Sequence, residues 1–259
     1  MIVDLYYLVL FEPLFNGLLY IYNYIPSLGV SIIIITVLIK LLLYIPSRSS
    51  IRAQKNLQQT QPKMKAIQEK YKNDKEELGR QLMKFYKENK VNPFSSCLPL
   101  LLQLPILIAL YRVFFSVAQT DPTTGILIAE NLEHLYAPLR DIFTSQAIDP
   151  TFLGIFDLSQ KGNFIFAILA GAAQFWQAKM IQAKKPPRVP GAKDEGMAAN
   201  LNKQMLYFMP IITVFFGIQF PAGLTLYWLV STLFMVAQQW YVMKKDSPAD
   251  GETPAVISK

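Results

Sequence analysis

Cysteine and histidine occur once each in this sequence, as Cys97 and His134. That excludes a disulfide framework and any metal site built on paired Cys or His ligands, so neither a metal nor a cofactor is expected. Cys97 falls at the start of an apolar run, far from the N-terminus, where it cannot serve as a lipid-attachment signal. His134 stands among acidic residues in a polar connection and reads as a solvated loop histidine. No phosphate-binding glycine loop and no nucleophile–base constellation is present, which argues against nucleotide-driven or hydrolytic enzyme chemistry. No basic residue precedes the first apolar stretch, so a cleavable signal peptide is not expected. Acidic residues are missing from every long apolar segment: 28–46, 95–118, 163–181, 204–219 and 221–243 contain no Asp or Glu.

What is there in quantity is apolar: 52% of residues are hydrophobic, gathered in long runs rather than spread at core-like spacing. The composition therefore predicts an all-α polytopic membrane protein. The formal net charge of +7 lies beside those runs, which fits membrane topology and anionic headgroups better than a specific nucleic-acid sequence.

Residues 1–27 are apolar and aromatic but interrupted by Asp4, Glu12, Pro13, Asn16, Asn23 and Pro26. Leu14, Leu18, Ile21 and Ile25 recur at helical spacing, and Phe15, Tyr20, Tyr22 and Tyr24 would suit a headgroup boundary. An N-terminal interfacial helix is the reading, with a short span as the alternative. A first transmembrane helix covers 28–46. In 47–92, twelve Lys and Arg stand against five Asp and Glu, which makes this stretch cytoplasmic and places the N-terminus outside. Met64, Ile67 and Tyr71, then Leu78, Leu82 and Phe85, predict two amphipathic arms of a helical hairpin, with Pro62 in the first turn of one arm and Asn92-Pro93 closing the other.

A second span covers 95–118, where Arg112 is expected to reach the outer headgroups or an acid of the next connection. That connection, 119–162, is rich in acids and reads as extracytoplasmic. A third span covers 163–181, with Ala167, Gly171 and Ala172 permitting close helix packing. A flexible basic cytoplasmic loop, 182–203, follows. The last long run divides at Gln219-Phe-Pro-Ala-Gly223 into spans 204–219 and 221–243, before a polar cytoplasmic tail, 244–259. Five spans put the C-terminus inside.

Lys40 is the anomaly. An ammonium at a helix centre in lipid costs at least about 2.5 kcal/mol on insertion scales. It lies about 9 Å from the end of its run, at 1.5 Å per residue, so snorkelling to the interface competes with a functional role. With no carboxylate in any span, a wet recess open to the cytoplasm is the economical way to keep it charged. Thr36 and Tyr44, one turn either side, would share its helical face. Gln103, Gln174, Gln177, Tyr227, Ser231 and Gln238 are the candidates from other spans to line the same recess, although each taken singly reads as a helix–helix hydrogen bond.

Several ordered motifs then carry a resemblance. Ser31-Ile-Ile-Ile-Ile-Thr-Val-Leu-Ile-Lys40, Gln61-Pro-Lys-Met-Lys65, Lys90-Val-Asn-Pro-Phe94, Cys97-Leu-Pro-Leu-Leu-Leu-Gln-Leu-Pro105 with Ala109-Leu-Tyr111, and Phe220-Pro-Ala-Gly-Leu-Thr-Leu-Tyr-Trp228 resemble the YidC/Oxa/Alb membrane-protein insertase family over roughly residues 13–243. The likeness is to the short bacterial form, without the large extracytoplasmic domain of many members. It implies a five-helix core in the bacterial plasma membrane, with a hydrophilic groove open to cytoplasm and lipid. It also implies a groove cation, usually arginine, at the position of Lys40. The second and fourth spans would form a hydrophobic slide, here Leu104, Ile108 and Val113 with Ile212, Phe215 and Phe216. The implied partners are nascent membrane proteins and membrane lipids, together with the ribosome and the Sec translocon, and the implied activity is insertion rather than enzyme catalysis. The competing classes are a secondary transporter or channel, which the lack of intramembrane carboxylates and of an inverted repeat disfavours, and an assembly factor that shields segments without inserting them.

Overall fold

A computed structural model describes residues 2–89, 98–181 and 197–245. Asn92-Pro93, Cys97, the basic loop over 182–196 and the tail from 246 lie outside the described residues.

The N-terminal segment is helical throughout: α1 (Ile2–Tyr6), a π-helical turn (Tyr7–Phe11) and α2 (Glu12–Tyr24). Its buried face is Phe11, Phe15, Leu18, Leu19 and Tyr22, not the expected stripe through Leu14, Ile21 and Ile25. Phe15 and Tyr22, expected at a headgroup boundary, are core residues, whereas Tyr20 and Tyr24 are exposed. The reason is that these aromatics meet a folded partner on that side. Asn16 donates to the His134 carbonyl at 2.9 Å and accepts from the Tyr136 amide at 2.7 Å, while the Tyr22 hydroxyl accepts from the Asp149 amide at 2.8 Å. Asn16→Ala removes both of these long-range bonds and leaves two main-chain groups unpaired beside a buried position. The expected outcome is a loss of about 2 kcal/mol, read as a lower thermal midpoint of the full chain in detergent.

The connection that Asn16 holds is a folded cap rather than an open loop. It contains α7 (Ala129–Leu132), α8 (Ala137–Phe143) and a two-stranded antiparallel hairpin, β1 (Thr151–Phe152) with β2 (Phe156–Asp157). Leu127, Leu135, Leu139, Phe143, Ile148, Phe152 and Leu158 join the main core with Phe11, Phe15, Ile32, Leu110 and Phe114. At Asp121 the side-chain hydroxyl of Thr123, the Thr124 and Thr123 amides and the Thr124 hydroxyl donate to one carboxylate and hold its pKa down at about 2. His134 is not a free loop histidine. Its ring stacks on Tyr7 at 5.3 Å, meets Phe11 edge-on at 5.2 Å, and Nδ1 is 3.6 Å from Glu12.

The first long apolar run forms α3 (Leu28–Leu42), and Leu43 ends it. The next helix, α4 (Tyr44–Lys70), leaves at a bend of 68°. The helix break at Leu43 lies inside the stretch 28–46 expected as the first span. Leu28, Ile32, Ile35, Thr36 and Lys40 form the buried face of α3, at spacings of three and four, while Leu38, Leu41 and Leu42 face outward. Gly29 permits a close approach: a Cβ there would lie 2.1 Å from the Phe152 ring.

The charged hairpin pairs α4 with α5 (Lys75–Glu88), whose start is capped by the Asp74 carboxylate accepting from the Glu77 amide at 3.0 Å. Pro62 does not begin a helix as expected; it sits inside α4, because the helix propagates from Tyr44 and tolerates one missing amide donor. The stripes remain shallow: Phe85 is buried, while Met64, Ile67, Tyr71, Leu78 and Leu82 are half-buried.

The remaining long helices are α6 (Leu98–Ala118), α9 (Phe164–Ile181), α10 (Met197–Gln219) and α11 (Ala222–Lys245). The start of α10 at Met197 lies inside the stretch expected as loop. Helices α9 and α10 pack closely at Gly171 and Gly217, where Ala167 meets Gly217; Ala172, expected at a seam, is exposed instead, and Ala170 and Ala173 are buried. The turn into α11 is sewn to the cap by Gly162 N to Ile218 O at 2.9 Å, Ala222 N to Gln160 O at 2.8 Å and Gly223 N to Leu158 O at 2.9 Å.

Among the described residues, Val3–Tyr24 alone is a single helix long and apolar enough to cross a membrane. Leu28–Leu42 with Tyr44–Lys70 qualify only as a bent pair, and the apolar stretches Gln103–Ala118 and Leu206–Gln219 are shorter. In α11 the buried polar residues Thr225, Ser231, Thr232, Gln238 and Gln239 dilute the hydropathy.

Candidate functional site

Lys40 ends the inward face of α3, and its side chain follows that face: the residue is 7% exposed and Nζ donates to Gln103 Oε1 at 3.0 Å. The ammonium is thus held inside the protein against a neighbouring helix. Among the described residues no carboxylate lies within ion-pair distance, and Gln103 takes one of the three ammonium donors. A neutral amide oxygen solvates a cation without cancelling its charge, which leaves a positive field at this point of the fold.

Gln103 transmits that contact. Its Nε2 donates to the Tyr227 hydroxyl on α11, and Tyr227 in turn is hydrogen-bonded to Ser231 one turn further on. The chain Lys40–Gln103–Tyr227–Ser231 thus joins α3, α6 and α11. Tyr227 and Ser231 are buried, and Gln103 is half-buried.

The other expected lining residues go elsewhere. Thr36 is fully buried and its hydroxyl donates to the Ile32 carbonyl of its own helix at 2.5 Å. Tyr44 lies past the break at Leu43, off the α3 face that carries Lys40, and its carbonyl accepts from Gln238 Nε2 at 3.0 Å. Gln238 Oε1 accepts from Ser47 at 3.0 Å, which makes a second polar junction between α4 and α11. Gln174 accepts from Thr213, across the α9–α10 seam. Gln177 meets Met235 Sδ at 3.8 Å, and its carbonyl accepts from Gln239 at 3.4 Å. Ser47, Thr213 and Gln239 were not among the expected polar contacts. The last two could have been suspected as polar interruptions of apolar helices, whereas Ser47 sits in a charged stretch that gives no such contrast.

Of the expected slide, Leu104 and Ile108 on α6 and Phe215 and Phe216 on α10 are exposed, and Ile212 is half-buried. Val113 is fully buried in the core and cannot belong to an outer surface, because it falls on the opposite side of α6. An aromatic series bridges the two helices. Phe115 stacks on Tyr111 at 6.4 Å, Tyr111 meets Phe220 at 5.9 Å, and Phe220 stacks on Phe216 at 5.8 Å.

The family described as 60Kd inner membrane protein matches residues 20–249. Proteins named membrane protein insertase YidC are similar: that of Geobacter sulfurreducens is 32% identical over 248 residues, covering 95% of this chain and 39% of the relative. Those of Syntrophus aciditrophicus and Hahella chejuensis are each 34% identical, over 90% of this chain and 36% and 34% of their own lengths. The chain thus spans less than two fifths of the curated relatives it matches. With a match across most of its length, the chain belongs to the 60Kd inner membrane protein family, the YidC/Oxa group of membrane-protein insertases.

Proposed function

We propose that this chain inserts nascent membrane proteins into the bacterial plasma membrane, using the Lys40 ammonium as an electrostatic lure. The observation that carries the proposal is the inward-turned cation on α3, solvated by Gln103 and tied to Tyr227, with no carboxylate partner among the described residues. A short acidic tail of a client segment is drawn toward that charge, while the apolar part of the client leaves along Leu104 and Ile108 of α6 and Ile212, Phe215 and Phe216 of α10. No covalent step is needed. Lysine acts here as a compact point charge, and the planar fork of arginine is not required for attraction.

In this reading five spans leave the C-terminus in the cytoplasm, and residues 1–27 lie along the outer boundary, as the bonds of Asn16 and Tyr22 to the cap support. The α4–α5 hairpin receives the client. Basic cytoplasmic segments meet the ribosome by phosphate attraction, and the Sec translocon is a further partner.

Site-specific photocrosslinking to a ribosome-bound single-span chain tests the route. Probes at Ile108 and Phe216 are expected to capture the client, and probes at Ile165 and Ile168, exposed on α9, are expected to give several-fold less. Equal capture from all four positions would show adhesion to any apolar surface and would sink the route.

A further inference from the structure

Between the N-terminal helix and α6, at the end of the molecule closed by the folded cap, lies a cavity of about 340 Å³ that the insertion route does not use. That volume falls within the range of small-ligand sites, about 300–1,000 Å³. Its walls are of two kinds. Tyr7, Phe11, Tyr111 and Phe115 are aromatic; Arg112, Glu130, Asn131 and His134 are polar or charged.

The charges in it are not spent on each other. The Arg112 guanidinium lies over the Tyr6 and Tyr7 rings at 5.9 and 5.5 Å and donates from one nitrogen to the Tyr7 hydroxyl. Neither the expected acid of the following connection nor any other carboxylate among the described residues lies within ion-pair distance of it. Glu130 faces the same cavity and likewise has no basic partner within ion-pair distance among the described residues. The other polar walls are occupied: Asn131 Nδ2 donates to Ser116 O and Gln119 Oε1, and His134 is taken up by Tyr7, Phe11 and Glu12. One guanidinium with donors to spare and one carboxylate without a cation therefore share a cavity yet remain apart.

We propose that this cavity binds the headgroup of an amine-bearing phospholipid. The phosphodiester meets Arg112, whose planar fork suits two phosphate oxygens, and the ammonium meets Glu130. A simple anion would satisfy Arg112 and leave Glu130 repelling it; a zwitterion satisfies both. The apolar surroundings select a lipid over a free headgroup. Tyr111 and Phe115 line the cavity and are exposed, and Leu8 and Val9 are exposed on the helix that carries Tyr7 and Phe11, giving acyl chains a surface to follow outward. Aromatic rings beside a charged cluster are also the composition that a headgroup boundary favours.

The test uses the full chain in detergent, with the thermal midpoint read as short-chain phosphatidylethanolamine, short-chain phosphatidylglycerol or free glycerophosphoethanolamine is added. Phosphatidylethanolamine is expected to raise the midpoint saturably and at roughly tenfold lower concentration than phosphatidylglycerol, a difference of about 1.4 kcal/mol. Arg112→Gln is expected to lose the response to both lipids. Glu130→Gln, at an exposed position, is expected to keep the phosphatidylglycerol response and lose the preference, so the proposal stays testable even if Arg112→Gln is destabilised. Lys40→Ala is expected to respond as the parent chain does, which separates this site from the insertion route. Equal response to the two lipids, an unchanged response in Arg112→Gln, or an equal effect of free glycerophosphoethanolamine would overturn the assignment.

Discussion

Reversing the charge at position 40 is expected to abolish insertion of a single-span client with an acidic outer tail, and removing it to slow such insertion roughly tenfold, about 1.4 kcal/mol in the barrier. The sign follows from Coulomb attraction. Two unit charges 4 Å apart interact by about 1 kcal/mol in water and about 4 kcal/mol in the partly screened setting typical near a protein surface. Lys40 is 7% exposed and its contact is a neutral amide, so an approaching carboxylate meets an uncancelled positive charge. Lys40→Glu turns attraction into repulsion of similar size. Lys40→Arg keeps the charge and is expected to retain insertion within about twofold, although its longer fork must share the Gln103 contact.

The measurement is insertion into proteoliposomes of clients whose outer tails carry two acids, none, or two bases. Lys40→Ala is expected to lower the acidic client and leave the neutral one nearly unchanged. Gln103→Leu serves as control: it removes the amide that holds the ammonium while keeping the charge, and is expected to cost less than Lys40→Glu. Undiminished insertion of the acidic client by Lys40→Glu would remove the electrostatic lure from the proposed function, leaving only the apolar route.

The second large effect is structural. Replacing Gly171 by Val is expected to lower the thermal midpoint sharply, because a Cβ at that position would lie 2.5 Å from Val214 Cγ2 and 3.1 Å from the Pro210 carbonyl oxygen. The valine methyl could turn aside, but the carbonyl belongs to the backbone of α10, so α9 and α10 must separate. Overpacking of this kind costs about 1–3 kcal/mol, and more where backbone is displaced. Gly171→Ala is expected to show the smaller part of the loss. Gly79, in α5, meets nothing within 4 Å, and Gly79→Ala is expected to be neutral or stabilising by up to about 1 kcal/mol, since alanine is the better helix former. Differential scanning fluorimetry of the three variants checks the contrast; equal midpoints for Gly171→Val and the parent chain would show that the α9–α10 seam opens without cost.

The importance of Gly171 was legible because small residues at helical spacing in an apolar segment already imply close approach. Gly217 gave no such local pattern, and Ala172 fitted the pattern but faces outward. Similarly, the cap over 119–162 carried many acids in sequence and so read as a loop. Leu135, Leu139 and Phe143 do recur at helical spacing, but over a helix of only seven residues, and Leu127 and Phe152 lie too far along the chain to extend the period, so only folding against the N-terminal helix collects them.

By itself the sequence determined what depends on local composition and order: the helical class, the apolar segments and the charged stretches between them, the amphipathic hairpin, the motifs of the family, and Lys40 as a costly exception in an acid-free setting. The tertiary structure decided which way each helix is rotated and what it meets. Helical periodicity assigns residues to a face but does not say what lies opposite, and Gln103 stands 63 positions from Lys40. Only the packing of α3, α6 and α11 could choose Gln103 and Tyr227 for the cation, send Thr36 back to its own backbone and Gln174 to Thr213, and set Arg112 over the tyrosines of a helix more than a hundred residues earlier.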